Sequence, residues 1–170
     1  MPVTSAILSR RSTALGIGLL MVAAAIAEFS MGRQFWGTGG IPGLWSGNIW
    51  SSHNSQFLAD PYSFTHITHG VLLYALLSIV LKAAPASTRL LVAVGLESLW
   101  EVIENTNTVI ERYRLATISL NYYGDSIVNS MGDILACILG FVLASACHPA
   151  SRSLEPLHWR SSFSFGHATT

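Results

Sequence analysis

Two histidines one helical turn apart, in His66-Ile-Thr-His69, precede an acidic run, Glu97-Ser-Leu-Trp-Glu101-Val-Ile-Glu104, and a third polar series, Asp125, Asn129 and Asp133. Imidazole nitrogen and carboxylate oxygen together form the donor set of a divalent-metal site, and the same groups can move protons. At about 100° per residue, Glu97, Glu101 and Glu104 share one narrow helical stripe, which Thr108 and Glu111 continue. Asp125, Asn129 and Asp133, four residues apart, make a slanting stripe on a second helix, and His66 and His69 face one way on a third.

Stacked carboxylates in a low-dielectric site cannot all stay ionised unaided; they need shared protons, a cation or a pairing arginine. Three readings follow. In the first, a divalent metal (Zn, Fe or Mn) is held by His66, His69, Glu101 and Asp125. Glu97, Glu104 and Asp133 are then the catalytic candidates, moving protons or supporting the ligands. In the second the carboxylates share protons as a relay, and in the third they pair with Arg112 and Arg114. Asn129, Arg112, Arg114, Trp50 and Tyr123 are the expected contacts to a substrate or to the ligands.

The elements that must position these groups are apolar. Of the 170 residues, 51% are hydrophobic and 11% charged, with a mean hydropathy of +0.47. This is too apolar for an ordinary soluble domain. We expect an all-α fold, a polytopic membrane helical bundle of about four transmembrane helices over 13–31, 64–81, 88–107 and 126–147. Residues 1–148 then form a single membrane domain and 149–170 a loose tail rich in Ser, Arg and His.

The first segment follows Arg10 and Arg11, and its Ala25-Ile26-Ala27 also fits a secretory cleavage site. We expect an uncleaved anchor, because three more apolar segments follow. The second segment stops at Ala83-Ala84-Pro85. The third is apolar only from Leu90 to Leu96 before Glu97 interrupts it, which makes it the weakest span.

If all four cross, Arg10, Arg11, Lys82, Arg89, Arg152 and Arg160 fall on one side, against Arg33, Arg112 and Arg114 on the other. The positive-inside rule then puts both termini in the cytoplasm. Eight of the nine acidic side chains, all but Glu155, gather toward the outer face of a bacterial inner membrane. Carboxylates near a helix centre cost roughly 2.5 to 3.5 kcal/mol each on insertion scales, so the cluster marks a working site facing the periplasm. The loop between the first two segments mixes Trp36, Trp45 and Trp50 with Gly and Ser, a composition suited to the headgroup region or to a lid.

Other chemistries find no support in the sequence. It has no nucleophile elbow, His-Glu-x-x-His motif, P-loop or dinucleotide fingerprint. No Lys/Arg stripe exists to track nucleic acid. Cys137 and Cys147 lie about 15 Å apart along one helix, too far for a disulfide between them.

The runs His66-Ile-Thr-His69-Gly, Glu97-Ser-Leu-Trp-Glu101-Val-Ile-Glu104-Asn-Thr, Arg112-Tyr-Arg and Tyr122-Tyr-Gly-Asp125-Ser-Ile-Val-Asn129-Ser-Met-Gly-Asp133 resemble a bacterial multi-pass membrane family. It is uncharacterised protein family zero-three-one-four, also filed as a domain of unknown function. A looser likeness, in the Glu-pair and Gly-Asp pattern, is to VanZ-like envelope membrane proteins. The resemblance implies an inner-membrane location and no particular chemistry. From the residues themselves we expect metal-dependent modification or hydrolysis of an envelope lipid or lipid-linked substrate. The alternative is a non-catalytic protein that binds a lipid or glycopeptide or stabilises a partner complex. The expected partners are membrane lipid and a second copy or another membrane protein.

Overall fold

The computed structural model describes residues 10–37, 40–116 and 122–147, and among these every regular element is helical. The order is α1 (Arg10–Ser30), α2 (Ser63–Val80), α3 (Ala86–Glu104), α4 (Asn107–Ala116) and α5 (Ile127–Cys147). The tail expected over 149–170 lies outside the described residues. α1, α2 and α5 are long and apolar enough to cross a membrane.

The bundle exposes large apolar side chains and buries, beside two apolar clusters around Phe141 and Ile134, an unusual number of polar ones. Leu19 and Phe29 on α1 and Ile79 on α2 are each at least 70% exposed, whereas Glu28 and Glu101 are fully buried. In water that distribution would be inverted. In hydrocarbon it is the stable one, because lipid tails solvate the outer leucines and the polar groups must find one another.

α3 carries three carboxylates, Glu97, Glu101 and Glu104, where α1 and α5 carry one each and α2 none, and its packing explains how it carries them. It lies against α1, α2 and α5, so its acidic stripe is enclosed by protein while Leu96, Leu99 and Ile103 face outward. α2 and α5 pack most closely. A Cβ on Gly70 would collide with the Cys137 and Phe141 backbone, and one on Gly140 with the Ile67 carbonyl. Small residues at such crossings let backbones approach where apolar burial gives no drive. Tyr74 and Phe141 seal this contact edge-to-face, with centroids 5.3 Å apart.

Helix boundaries follow local chemistry. Pro85, with φ −65° and ψ 156°, caps the start of α3; it has no N–H to lose there. α3 then ends at Glu104, and α4 begins at Asn107, so the acidic stripe does not run on to Thr108 and Glu111 as the periodicity predicts. The physical reason is Asn105. Fully buried, it accepts from the Asp125 backbone N–H at 2.7 Å and donates to Ser130 Oγ at 3.1 Å. This ties the end of α3 to the start of α5.

The loop between α1 and α2 is ordered by the same end of the bundle. Ile127 and Val128, in the first turn of α5, donate backbone N–H groups to the carbonyls of Gln34 and Phe35 at 2.9 and 3.2 Å. Ser126 Oγ accepts from Asn129 N–H at 3.2 Å. Donors that a helix leaves without partners are thus met by the loop and a serine cap. Within the loop, buried Asp60 accepts from the N–H groups of Ser55 and Tyr62, both at 2.7 Å.

Candidate functional site

Four helices bring their polar ends together: the last turn of α1, the first turns of α2 and α5, and the last turns of α3. His66, buried on α2, is the hub. Its Nδ1 lies 2.6 Å from Glu97 Oε1 and 3.3 Å from Glu101 Oε1, and its Nε2 lies 3.8 Å from Asp133 Oδ2. His69, one turn on, reaches the same Glu97 oxygen at 3.2 Å. Because helical spacing stacks i and i+3 on one face, both imidazoles meet one α3 carboxylate.

Two overlapping donor sets result: His66, His69 and Glu97, and His66, Glu101 and Asp133. Neighbouring ligands on a tetrahedral ion with bonds of about 2.0 Å sit about 3.3 Å apart. The His69–Glu97 and His66–Glu101 separations, 3.2 and 3.3 Å, match that edge. The 2.6 Å contact of His66 with Glu97 is a hydrogen bond instead. Glu101 is the least satisfied member, fully buried with neither oxygen hydrogen-bonded. Asp133 is tied to Ser63, whose hydroxyl donates to Oδ1 at 2.7 Å.

The remaining expected residues surround this hub in different ways. Asp125, read from sequence as a ligand, is in neither donor set. It accepts from Tyr122 Oη at 3.1 Å and from Asn105 Nδ2 at 3.4 Å. Burial raises its pKa well above the ordinary carboxylate range, and the Glu104 and Asp133 charges push the same way. Burial likewise raises the Tyr122 and Tyr113 phenols, with Asp125 adding to the first and Glu104 to the second. The Tyr113 and Trp100 side chains lie beside the Glu104 carboxylate. Asn129 donates to the Phe57 carbonyl at 2.8 Å, which pins the loop to α5.

A cavity of about 650 Å³ opens onto these groups, lined on its acidic side by His66, His69, Glu104, Asp125, Asn129 and Asp133 and on its aromatic side by Trp50, Tyr62, Trp100, Tyr113 and Tyr122. Trp50 thus stands where a substrate contact was expected. Tyr123 and Arg114 line a second cavity beside it. Arg112 is exposed and lines neither. Among the described residues neither Arg112 nor Arg114 pairs with a carboxylate. Arg114 Nε donates to the Tyr122 carbonyl at 2.7 Å instead.

Two polar residues carry more of the site than their sequence positions suggested. Glu28, at the end of an apolar helix where an interfacial place is the natural expectation, is fully buried beside Ser130, with neither oxygen hydrogen-bonded. Asn105 stands four past Glu101 on the same stripe, but an uncharged side chain there carries no signal of its own. Asp60 and Ser63 had no comparable signal, since their roles depend on where the loop returns.

Comparison with known proteins agrees with the motifs. The model of the family described as "Protein of unknown function (DUF2585)" matches residues 28–153. A UPF0314 protein of Paracoccus denitrificans is 47% identical over 75% of this chain and 66% of its own length. One from Brucella anthropi is 43% identical over 76% and 68% respectively, and one from Sinorhizobium fredii is 50% identical over 71% and 61%. The chain therefore spans about two thirds of the length of the relatives it matches. No solved structure matches it. A matching family model across most of the chain and relatives at this identity establish that the protein belongs to the DUF2585 family, whose relatives carry the name UPF0314.

Proposed function

We propose that the protein binds one divalent metal ion among α2, α3 and α5 and uses it to modify or hydrolyse an envelope lipid or lipid-linked substrate. The observation that carries this reading is Glu101. A buried carboxylate with no donor to either oxygen is expensive, and its Oε1 lies one ligand edge from His66 Nδ1. A cation there would satisfy both. Zinc, iron and manganese all suit mixed imidazole and carboxylate donors.

A bound ion would supply Lewis acidity toward an ester or phosphoryl oxygen. The chain's own residues do the rest. His66 and Glu97 share a proton across their 2.6 Å contact, so binding must open that bond and release the proton into the cavity. Glu104, beside Tyr113 and Trp100, lines the same space and is placed to take a proton from substrate or water. Trp50 and Tyr62, about half to two thirds exposed on the cavity lining, offer the apolar contact an acyl or isoprenoid chain would use.

In this reading α3 also crosses, the chain runs out and back twice in four crossings, and the pocket faces the periplasm of the inner membrane with both termini in the cytoplasm. The distribution of Arg and Lys supports that orientation. The hydrogen bonds joining Ser63 to Asp133 and Asn105 to Ser130 favour a second reading, in which the polar cluster is interhelical glue in a protein that binds a lipid or glycopeptide without reacting.

Elemental analysis of detergent-purified protein separates the two. The first expects about one metal ion per chain, lost in Glu101→Gln and His66→Ala. Wild-type protein that folds and carries no stoichiometric metal, even after loading with zinc, iron or manganese, overturns it.

A further inference from the structure

We propose that the cavity beside the His/carboxylate pocket binds a phosphate-class anion through Arg33 and Arg114. This second cavity, of about 1130 Å³, shares Ile49, Trp50, Asn54, Tyr122 and Asp125 with the first. A single amphiphile could therefore touch both, and that part of the inference rests on the lipid reading above.

The two guanidinium groups arrive from different elements, Arg33 from the turn after α1 and Arg114 from α4. Both are half-buried, and neither is paired with a carboxylate among the described residues. Their partners are neutral. Arg33 donates to the carbonyls of Tyr123 and Met31 and to Asn107 Oδ1, at 2.8, 3.1 and 3.0 Å, while its Nε is buried without a partner. Arg114 donates from Nε to the Tyr122 carbonyl and lies 4.9 Å over the Tyr123 ring.

Backbone carbonyls orient a guanidinium without neutralising it. Each group has five N–H donors in a planar fork suited to phosphate, so both keep full charge and have donors to spare. They are also preorganised, since they grip consecutive carbonyls of one short segment. Gly124 completes that segment at φ +92°, and a Cβ there would come 2.7 Å from Arg33 Nη1. Of the carboxyl groups on the lining, Asp125 is engaged by Tyr122 and Asn105, and Glu111 is exposed to solvent. Glu28 feels the Arg33 charge, but neither guanidinium has a carboxylate at ion-pair distance among the described residues, so two half-buried positive charges are left for an anion to answer. The exposed Trp50 and Ile49 at the rim favour a lipid headgroup as its source.

The test uses full-length protein in detergent, treated with chelator so that failure of the metal reading leaves the result interpretable. Binding of phosphatidylglycerol, phosphatidylcholine and inorganic phosphate is compared by native mass spectrometry and melting shift. The variants are Arg33→Gln, Arg114→Gln and, as a control at the opposite end of the bundle, Arg89→Gln. We expect phosphatidylglycerol to bind at least about tenfold better than phosphatidylcholine, with that preference lost in Arg114→Gln and kept in Arg89→Gln. The same loss seen only with inorganic phosphate supports the site and assigns it to a free anion. Should Arg33→Gln fail to fold, Arg114→Gln and the wild-type headgroup preference still decide. Equal binding of both lipids with no phosphate binding by the wild type, or anion binding unchanged in Arg114→Gln, overturns the proposal.

Discussion

One carboxylate oxygen, Oε1 of Glu97, lies 2.6 Å from Nδ1 of His66, and His69 Nδ1 reaches that oxygen at 3.2 Å. Two imidazoles on consecutive turns of α2 thus converge on a single buried atom of α3. If a metal sits here, Glu97→Gln should weaken it strongly. Changes to residues that merely support ligands cost about 10–100-fold in affinity, so loss of a ligand should exceed about 100-fold. A zinc titration against a competing chelator measures it, and an affinity within a few-fold of wild type would remove Glu97 from the donor set.

Asp125 supplies a pH signature in the metal-free protein. Its carboxyl holds a proton more tightly in the folded chain than in the unfolded one, because burial and then the Glu104 and Asp133 charges raise its pKa. The stability this group contributes is therefore full below the ordinary carboxylate range and declines as pH rises through the raised value. Asp125→Asn keeps the shape and removes the titration. Melting temperatures between pH 4 and 8 should fall less steeply with rising pH in the variant, and parallel curves would contradict the assignment.

Backbone contact between α2 and α5 predicts opposite outcomes for two glycines. Gly140→Ala places a methyl group against the Ile67 carbonyl, which must separate the helices at a cost of about 1–3 kcal/mol. Gly18→Ala meets nothing within 4 Å and should stabilise α1 by about 0.5–1 kcal/mol. Denaturation in mixed detergent gives both values.

Asp60 should matter for the loop more than for the chemistry. Its two oxygens accept from Ser55 and Tyr62 N–H groups, and Asp60→Ala would leave both donors with no protein partner, at about 1–3 kcal/mol for each that stays buried. Hydrogen exchange should accelerate across residues 43–62 while the centre of α5 stays protected. Unchanged exchange in the loop would mean that other contacts hold it.

Topology is testable with fusion reporters. Sites at Gly40 and Leu115 should report periplasm and a site at Ala84 cytoplasm. The reverse pattern would invert the pocket's orientation.

Much of this was legible in one dimension. Helical periodicity put Glu97, Glu101 and Glu104 on one face, and the zigzag of apolar segments put His66, His69 and Asp133 at the same depth. Both expectations rest on local geometry, which a helix imposes without regard to its neighbours. The end of the acidic stripe was not legible. Glu111 continues the period on paper, but Asn105 is claimed by the start of α5 and the helix stops.

Sequence alone determined the class of the molecule and which acids and imidazoles share a helix face, because hydropathy and the 3.6-residue repeat are properties of a segment by itself. Only the tertiary structure decided which acids face which imidazole. Asp125 lies a few residues from Asp133 and had an equal claim to His66 on paper, yet Asp133 is the one that His66 Nε2 faces, at 3.8 Å, while Asp125 is bound to Tyr122 and Asn105. Partner choice among like groups depends on the register at which helices pack, and that register is set where Gly70 and Gly140 let two backbones touch.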